Sequence, residues 1–317
     1  MRNINPFHIA QHEQVSKRVA ELSRRSDDIK SRLACTLKKL WLSERELAIV
    51  TNLEVFNDLK SKFPNFIEVI ELYEANAIGL SKMGLPFEAP PILLQGEPGL
   101  GKTLFASELA RLVELPFFEI SMATMTASFA LSGGSLQWGE GTVGFIANSI
   151  ADSTVGNPFF LIDEVDKSGH ENRYNPLNPF YSLLETHSAK RFRDEALDID
   201  IDASRVIWMA TANYIQNVPQ PILSRMRTIE IKRPNAEQMI NVVVSIYSNF
   251  RQSKAYGQLL DPNINEDTMD ILRTKSPREA KLSIDEGCLK AIRAGRSTLL
   301  PQDLPATKKE IYHVGFI

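Results

Sequence analysis

The sequence predicts an α/β protein built on a five-stranded parallel sheet, preceded by a helical segment and followed by a small all-helical domain. Three observations predict it. Short apolar runs alternate with helical or loop segments from residue 92 to residue 231, which implies parallel strands covered on both faces. A glycine loop, GEPGLGKT (96–103), joins the first of these runs to a helical pattern. After Pro234 the strand signal fades and apolar residues recur at helical spacing. The expected divisions are 1–60, 61–233 and 234–317.

Composition narrows the class. A chain of 317 residues can bury a sizeable core in about two domains. Its 43% hydrophobic and 24% charged residues are ordinary for a soluble globular protein. A net charge of −3 excludes the overall basic signature of a nucleic-acid binder, although a local basic surface is compatible with it. Cys35 and Cys288 form no CxxC pair, which suits a reducing compartment and argues against a disulfide framework or a zinc site. No apolar run reaches the roughly 20 residues that span a membrane. The N-terminus lacks a signal-peptide core and carries Glu13 and Glu21, so a cytoplasmic location is expected.

The elements follow in order. Residues 1 to about 60 read as helical and mixed in charge, with ten Lys/Arg and six Asp/Glu between Met1 and Val50. Two readings stay open for them: a solvated amphipathic helix pair, or a docking arm for a partner or nucleic acid. A helix from Phe66 and the linker GLPFEAPP lead to a first strand at Ile92. FFEI, FFLI, VIWMA and TIEI are the four further strands. AEQMINVVVSIYSNF is a helix of the last domain. SPREAKL starts another: Ser276 as N-cap, Pro277 at N1 and Glu279 completing a capping box.

The glycine loop is the first candidate site. PILLQ before it reads as a buried strand, and Phe105, Leu109 and Leu112 after it recur at helical spacing. Strand, loop and helix aim a helix N-terminus at an anion. Gly96, Glu97, Pro98, Gly99, Leu100 and Gly101 would present backbone N–H groups to a triphosphate, with Leu104 just beyond. Lys102 is placed to reach the β- and γ-phosphates, and Thr103 to put its hydroxyl on Mg²⁺. ATP and Mg²⁺ are therefore the expected cofactors.

Sixty positions later, Phe159 to Ile162 make a buried strand with Asp163 and Glu164 at its C-terminal end, where open α/β sheets bind ligands. Asp163 suits the water shell of Mg²⁺, and Glu164 suits the polarisation of an attacking water. Asn213 ends the next apolar strand and suits the orientation of water near a γ-phosphate. Arg225 and Arg227 precede the last strand, where an arginine can reach a neighbouring subunit's phosphate; Arg225 is preferred. Arg278 falls in a helix's first turn, which is unfavourable toward the helix dipole and so points to a use, contact with nucleotide.

With these residues in view, the chain resembles the AAA+ ATPases, and among them the ATPase module of Lon-type proteases. The resemblance rests on the phosphate loop and on Asp163, Glu164, Asp166 and Lys167. It continues through Leu183 to Glu185, Phe192, Asp194, Leu197, Asp198, Asp202, Ser204, Val206 and Ala210 to Asn213. Ser224-Arg225-Met226 stands where Lon-type enzymes read Asp-Arg-Met, which supports Arg225 as an arginine acting in trans. It spans roughly residues 90–300 and does not cover 1–60. It implies a P-loop AAA+ module with a helical lid, ATP hydrolysis and a ring-shaped homo-oligomer, usually of six subunits. It also implies a catalytic role for Glu164, Asn213 and Arg225 and metal binding through Thr103 and Asp163. Lon-type proteases carry a further Ser-Lys peptidase segment that these residues do not match, so no peptidase activity is expected.

LQWGEGTVGF reads as an exposed glycine-rich loop. In similar ATPases an aromatic-glycine pair here lines a central pore, which makes Trp138 and Gly139 pore-loop candidates; a Trp packed in the core is the alternative. His8 and His12 have a metal-like spacing on a presumed helix but lack a third ligand, and DEALDIDID reads as a half-exposed strand. The expectation is an ATPase that remodels or translocates a protein substrate. The alternatives are a nucleic-acid-associated loader or motor and a nucleotide-dependent scaffold.

Overall fold

The computed structural model describes residues 7–23, 28–42, 44–125, 127–135, 141–168 and 175–305. Its backbone divides into two units. The first is Met1–Leu59, Phe66–Pro98 and Lys102–Ile231; the second is Lys60–Asn65, Gly99–Gly101 and Lys232–Ile317.

The first unit holds the sheet. Its strands are β1 (Ile92–Gln95), β2 (Phe117–Ser121), β3 (Phe159–Asp163), β4 (Ile207–Ala212) and β5 (Arg227–Glu230). All pair in parallel, in the order β2-β3-β4-β1-β5. Composition matches position. All six residues of the central strand β4 are buried, as are Phe159 to Ile162 of β3, so these strands read as continuous apolar runs. The edge strand β5 buries only Ile229. The order turns back on itself at β1, which lies between β4 and β5 while the chain next builds β2 at the far edge. The crevice at the carboxyl ends of strands around such a reversal is where a ligand fits in this architecture.

Helices α1 (His12–Ser23) and α2 (Asp28–Trp41) belong to the same unit. Leu33, Leu37 and Leu40 are fully buried, in one apolar cluster with Phe160, Ile162 and Trp208. Several basic groups here are spent within the fold. Lys39 pairs with Asp152, Arg18 bonds the Ala196 carbonyl, and Arg45 bonds the carbonyls of Ala151 and Ser153. Helices α3 (Ile67–Lys82), α4 (Lys102–Leu112) and α5 (Phe145–Asp152) lie in the same unit.

Two local readings are corrected. His8 lies in a two-residue strand paired with Glu44–Arg45, not on the helix that begins at His12. His12 instead packs against Trp41 with the two rings tilted, their centroids 3.8 Å apart. The DEALDIDID segment opens on a turn at Glu195–Leu197, and only Asp200–Ile201 is strand. The cause is Asp194, whose carboxylate takes the N–H groups of Ala196 and Leu197 and closes a turn where alternation alone would have drawn a strand.

The second unit is helical: α6 (Ala236–Ser253), α7 (Glu266–Leu272) and α8 (Pro277–Arg293). Its separate core joins Val243, Tyr247, Leu272, Ile284, Cys288 and Leu299. Capping boxes start two of its helices. Asn235 pairs with Gln238 at α6, and Ser276 with Glu279 at α8, where Pro277 takes the first helical position.

Candidate active site

The site grows from the ends of β3 and β4. The last residue pair of their ladder is Ile162 with Ala210. Beyond it the backbones part, and side chains take over the bonding. Thr103 donates its hydroxyl to Asp163 Oδ1 at 2.9 Å, and Thr211 donates to the same oxygen at 2.5 Å. The Thr211 oxygen in turn accepts the backbone N–H of Glu164 at 2.9 Å. Asp163 is thus aimed by one hydroxyl from the helix after the glycine loop and one from the neighbouring strand.

Glu164 sits in the left-handed region, at φ 56 and ψ 49. A non-glycine residue there costs about 1–2 kcal/mol. The turn it makes leads into a short 3₁₀ helix, Val165–Lys167, whose Lys167 N–H bonds the Glu164 carbonyl. Asp166 follows, almost fully buried, and its two oxygens accept the backbone N–H groups of Asn213 and Tyr214 at 3.1 and 3.2 Å. That carboxylate fixes the turn after β4 and with it the Asn213 side chain.

Lys102 closes the arrangement. Its ammonium donates to the carbonyls of Gly96 and Glu97 at 2.7 and 2.9 Å and to Asn213 Oδ1 at 2.9 Å. These three acceptors match its three protons. Burial draws the Lys102 pKa below its ordinary value, while Asp163, Asp166 and Glu164 pull it back up. The loop's entry is tied to β4 by Gly96 N–H on the Ala212 carbonyl. Gly99 and Gly101 hold φ of 84 and 90, conformations that an L side chain resists.

These residues suit a nucleotide with its divalent cation. A buried ammonium lies at the N-terminus of α4, held among the described residues by neutral oxygens that a phosphate can displace. Both hydroxyls on Asp163 use Oδ1, and no described residue bonds Oδ2, so the carboxylate keeps an oxygen for a hydrated cation. Oxygen donors of this kind favour Mg²⁺ over softer metals.

Arg225 and Arg227 bond outside this cluster, whereas the Arg278 side chain lies against Gly99 of the glycine loop, within the second unit. Arg225 pairs with Glu185 at 2.6 Å and donates to the Pro221 carbonyl at 2.8 Å, while its Nε is buried with no acceptor among the described residues. Arg227 opens β5 and pairs with Glu68 at 3.5 Å. Arg278 is the second residue of α8, in the second unit. Trp138 and Gly139 lie outside the described residues.

Sequence reasoning assigned no role to Thr211, and Asp166 entered only within a motif. A lone buried Thr in an apolar strand carries no signal of its own; its meaning comes from the strand beside it.

Comparison with known proteins bears on part of the chain. Residues 92–233 match the model of the AAA family, the ATPase family associated with various cellular activities. The chain carries an AAA+ ATPase domain. The domain is related to the ATPase modules of Lon proteases. A mitochondrial Lon protease homolog of Drosophila melanogaster is 32% identical over 191 residues, 60% of this chain and 18% of the relative. The peroxisomal Lon protease homolog 2 of Oryza sativa subsp. indica is 29% identical over 167 residues, 53% and 19% of the two chains. The Lon protease of Clostridioides difficile (strain 630) is 29% identical over 165 residues, 52% and 21%. The chain thus spans about a fifth of the length of the curated relatives it matches. In fold it is similar to a closed-state cryo-electron-microscopy reconstruction of Hsp104 with ATPγS and FITC casein, at TM-score 0.62 and 17% identity, covering 78% of this chain and 49% of that one. Among the described residues, no helix is long and apolar enough to cross a membrane.

Proposed function

We propose that this chain hydrolyses ATP within a ring of its own copies, six by the resemblance, and uses the cycle to remodel or translocate a protein. The observation that carries the hydrolysis is the joint on Asp163: Thr103 from the loop helix and Thr211 from β4 share one carboxylate oxygen, beside Glu164.

Each residue has a task. Lys102 holds the β- and γ-phosphates after exchanging its carbonyl partners for them. Thr103 and Asp163 hold Mg²⁺, which when bound neutralises charge on the phosphates. Glu164 takes a proton from the attacking water, and Asn213, fixed by Asp166, orients that water. Arg225 stabilises transition-state charge in the neighbouring copy, and Arg278 senses nucleotide. The protein substrate is proposed because the relatives are proteases. Several N-terminal basic groups already bond within the fold, which favours protein over nucleic acid as the partner.

The test is ATP turnover with and without an unfolded polypeptide or DNA, with Glu164→Gln as the blank. Expected are turnover lost in Glu164→Gln with ATP still bound, stimulation by polypeptide, and loss of hydrolysis but not binding in Arg225→Ala. Stimulation by DNA alone would overturn the protein reading. Full turnover by Glu164→Gln would overturn the assignment of the site.

A further inference from the structure

We infer that Thr211 is a positioning residue for the reaction: its single hydroxyl sets both the Asp163 carboxylate and the peptide that carries Glu164. The inference rests on the proposed assignment of Asp163 and Glu164 and goes beyond it, because Thr211 itself meets neither water nor phosphate in that scheme.

The argument starts from the ladder. β3 and β4 pair through Ile162 and Ala210 and no further. Glu164 then turns left-handed, so its N–H can no longer reach the backbone of β4 in strand register. A partly buried N–H without an acceptor is costly, and something must replace the lost ladder bond. Thr211 replaces it with a side chain. The hydroxyl has one proton to give, and it gives that proton to Asp163 Oδ1 at 2.5 Å. One oxygen therefore couples two carboxylate residues: a rotation of Thr211 about χ1 would release Asp163 and the Glu164 peptide together. Threonine is suited to the task, because branching at Cβ restricts χ1 and the side chain is only 2% exposed, between two neighbouring strands. Serine would keep the oxygen and lose the branch. Valine would keep the branch and lose the oxygen, leaving the Glu164 N–H without its acceptor and Asp163 with Thr103 alone.

The consequence is a division of labour among the hydroxyls. Thr103 belongs to the loop helix, so nucleotide engages it directly. Thr211 belongs to the sheet and holds the two acids in place before nucleotide arrives. Its loss should spare nucleotide binding and harm turnover.

The experiment uses the full chain with Thr211→Val, Thr211→Ala and Thr211→Ser, and Glu164→Gln as reference. It reads kcat and KM for ATP, the Mg²⁺ concentration for half-maximal turnover, the Kd of a fluorescent ATP analogue, and amide hydrogen exchange over residues 160–168 without nucleotide. For Thr211→Val we expect kcat lower by about a hundredfold, as for loss of one positioned donor. KM and Kd should stay within about threefold, the Mg²⁺ requirement should rise, and exchange at Glu164 should be faster. Thr211→Ser should restore the exchange protection and most of kcat. If Thr211→Val does not fold, Thr211→Ala set against Thr211→Ser makes the same comparison. Normal kcat and normal exchange in Thr211→Val, with Glu164→Gln inactive, would overturn the inference alone. Full turnover by Glu164→Gln would instead remove the site assignment beneath it.

Discussion

In the first unit, the polar side chains at the ends of β3 and β4 bond one another. Lys102 meets Asn213, Thr103 and Thr211 meet Asp163, and Asp166 holds the turn after β4. In the second unit, polar groups mostly finish helices and tie down a tail. Ser276 and Glu279 close the start of α8, Asn235 and Gln238 that of α6, and Arg296 forks onto Asp303 at 2.6 and 2.7 Å. The contrast separates two uses of a polar group. Capping and tail bonds satisfy donors that helix formation leaves open, so they contribute stability. The cluster in the first unit gathers an ammonium and three carboxylates where apolar packing would hold the sheet ends equally well. In the proposed function that cluster serves the chemistry.

That contrast can be broken most sharply at Lys102. Lys102→Met should lower ATP turnover by about 10³-fold and weaken binding of a fluorescent ATP analogue. Its resistance to urea should stay the same or rise, since an apolar chain of similar length removes a buried charge. A Lys102→Met protein that unfolds readily would show that the cluster holds the fold, and the contrast would disappear.

Asp194 sharpens the comparison, because it is a buried carboxylate in the first unit outside the proposed chemistry. It is fully buried, and its pKa is pushed up to about 6 by burial, against the N–H groups of Leu197, Gly144 and Ala196 that draw it down. An acid whose pKa is higher in the folded chain than the ordinary 3.8 contributes stability that is fully present below about pH 4. That contribution is lost as pH rises through about 6, and it amounts to about 3 kcal/mol. Urea unfolding between pH 4 and 7 should show this decline in the wild type and a flatter profile in Asp194→Asn. Equal slopes in both would show that Asp194 does not titrate in this window.

The smallest effect expected is in the second unit. Ser276→Ala removes the cap of α8 and should cost about 1 kcal/mol of stability, read from thermal or urea unfolding. No loss would mean that the Glu279 carboxylate and Pro277 start the helix unaided.

Much of this was legible in the chain. The five strands stood out because each is a short apolar run bounded by breaks, and the two start signals of α8 stood out because capping is local. Lys102, Thr103, Asp163, Glu164 and Asn213 were legible because loop and strand-end motifs keep fixed spacing. The placement of Leu33, Leu37 and Leu40 in the sheet's own apolar cluster was not legible, since helical periodicity reveals an apolar face but not what covers it. Asp194 looked like one acid in an alternating run, and only its three N–H partners, Gly144 among them 50 positions away, distinguish it from its neighbours.

By itself, then, the sequence determined the kind of strands, the glycine loop, the helix starts and the acids at a strand end, because each depends on neighbours within a few positions. Tertiary structure alone decided that β4 lies beside β3, that Thr211 therefore reaches Asp163 and Glu164, and that Arg225 pairs with Glu185. The physical reason is range. Backbone propensity and capping act along the chain, whereas a hydrogen bond between adjacent strands is set by a register that no local pattern encodes.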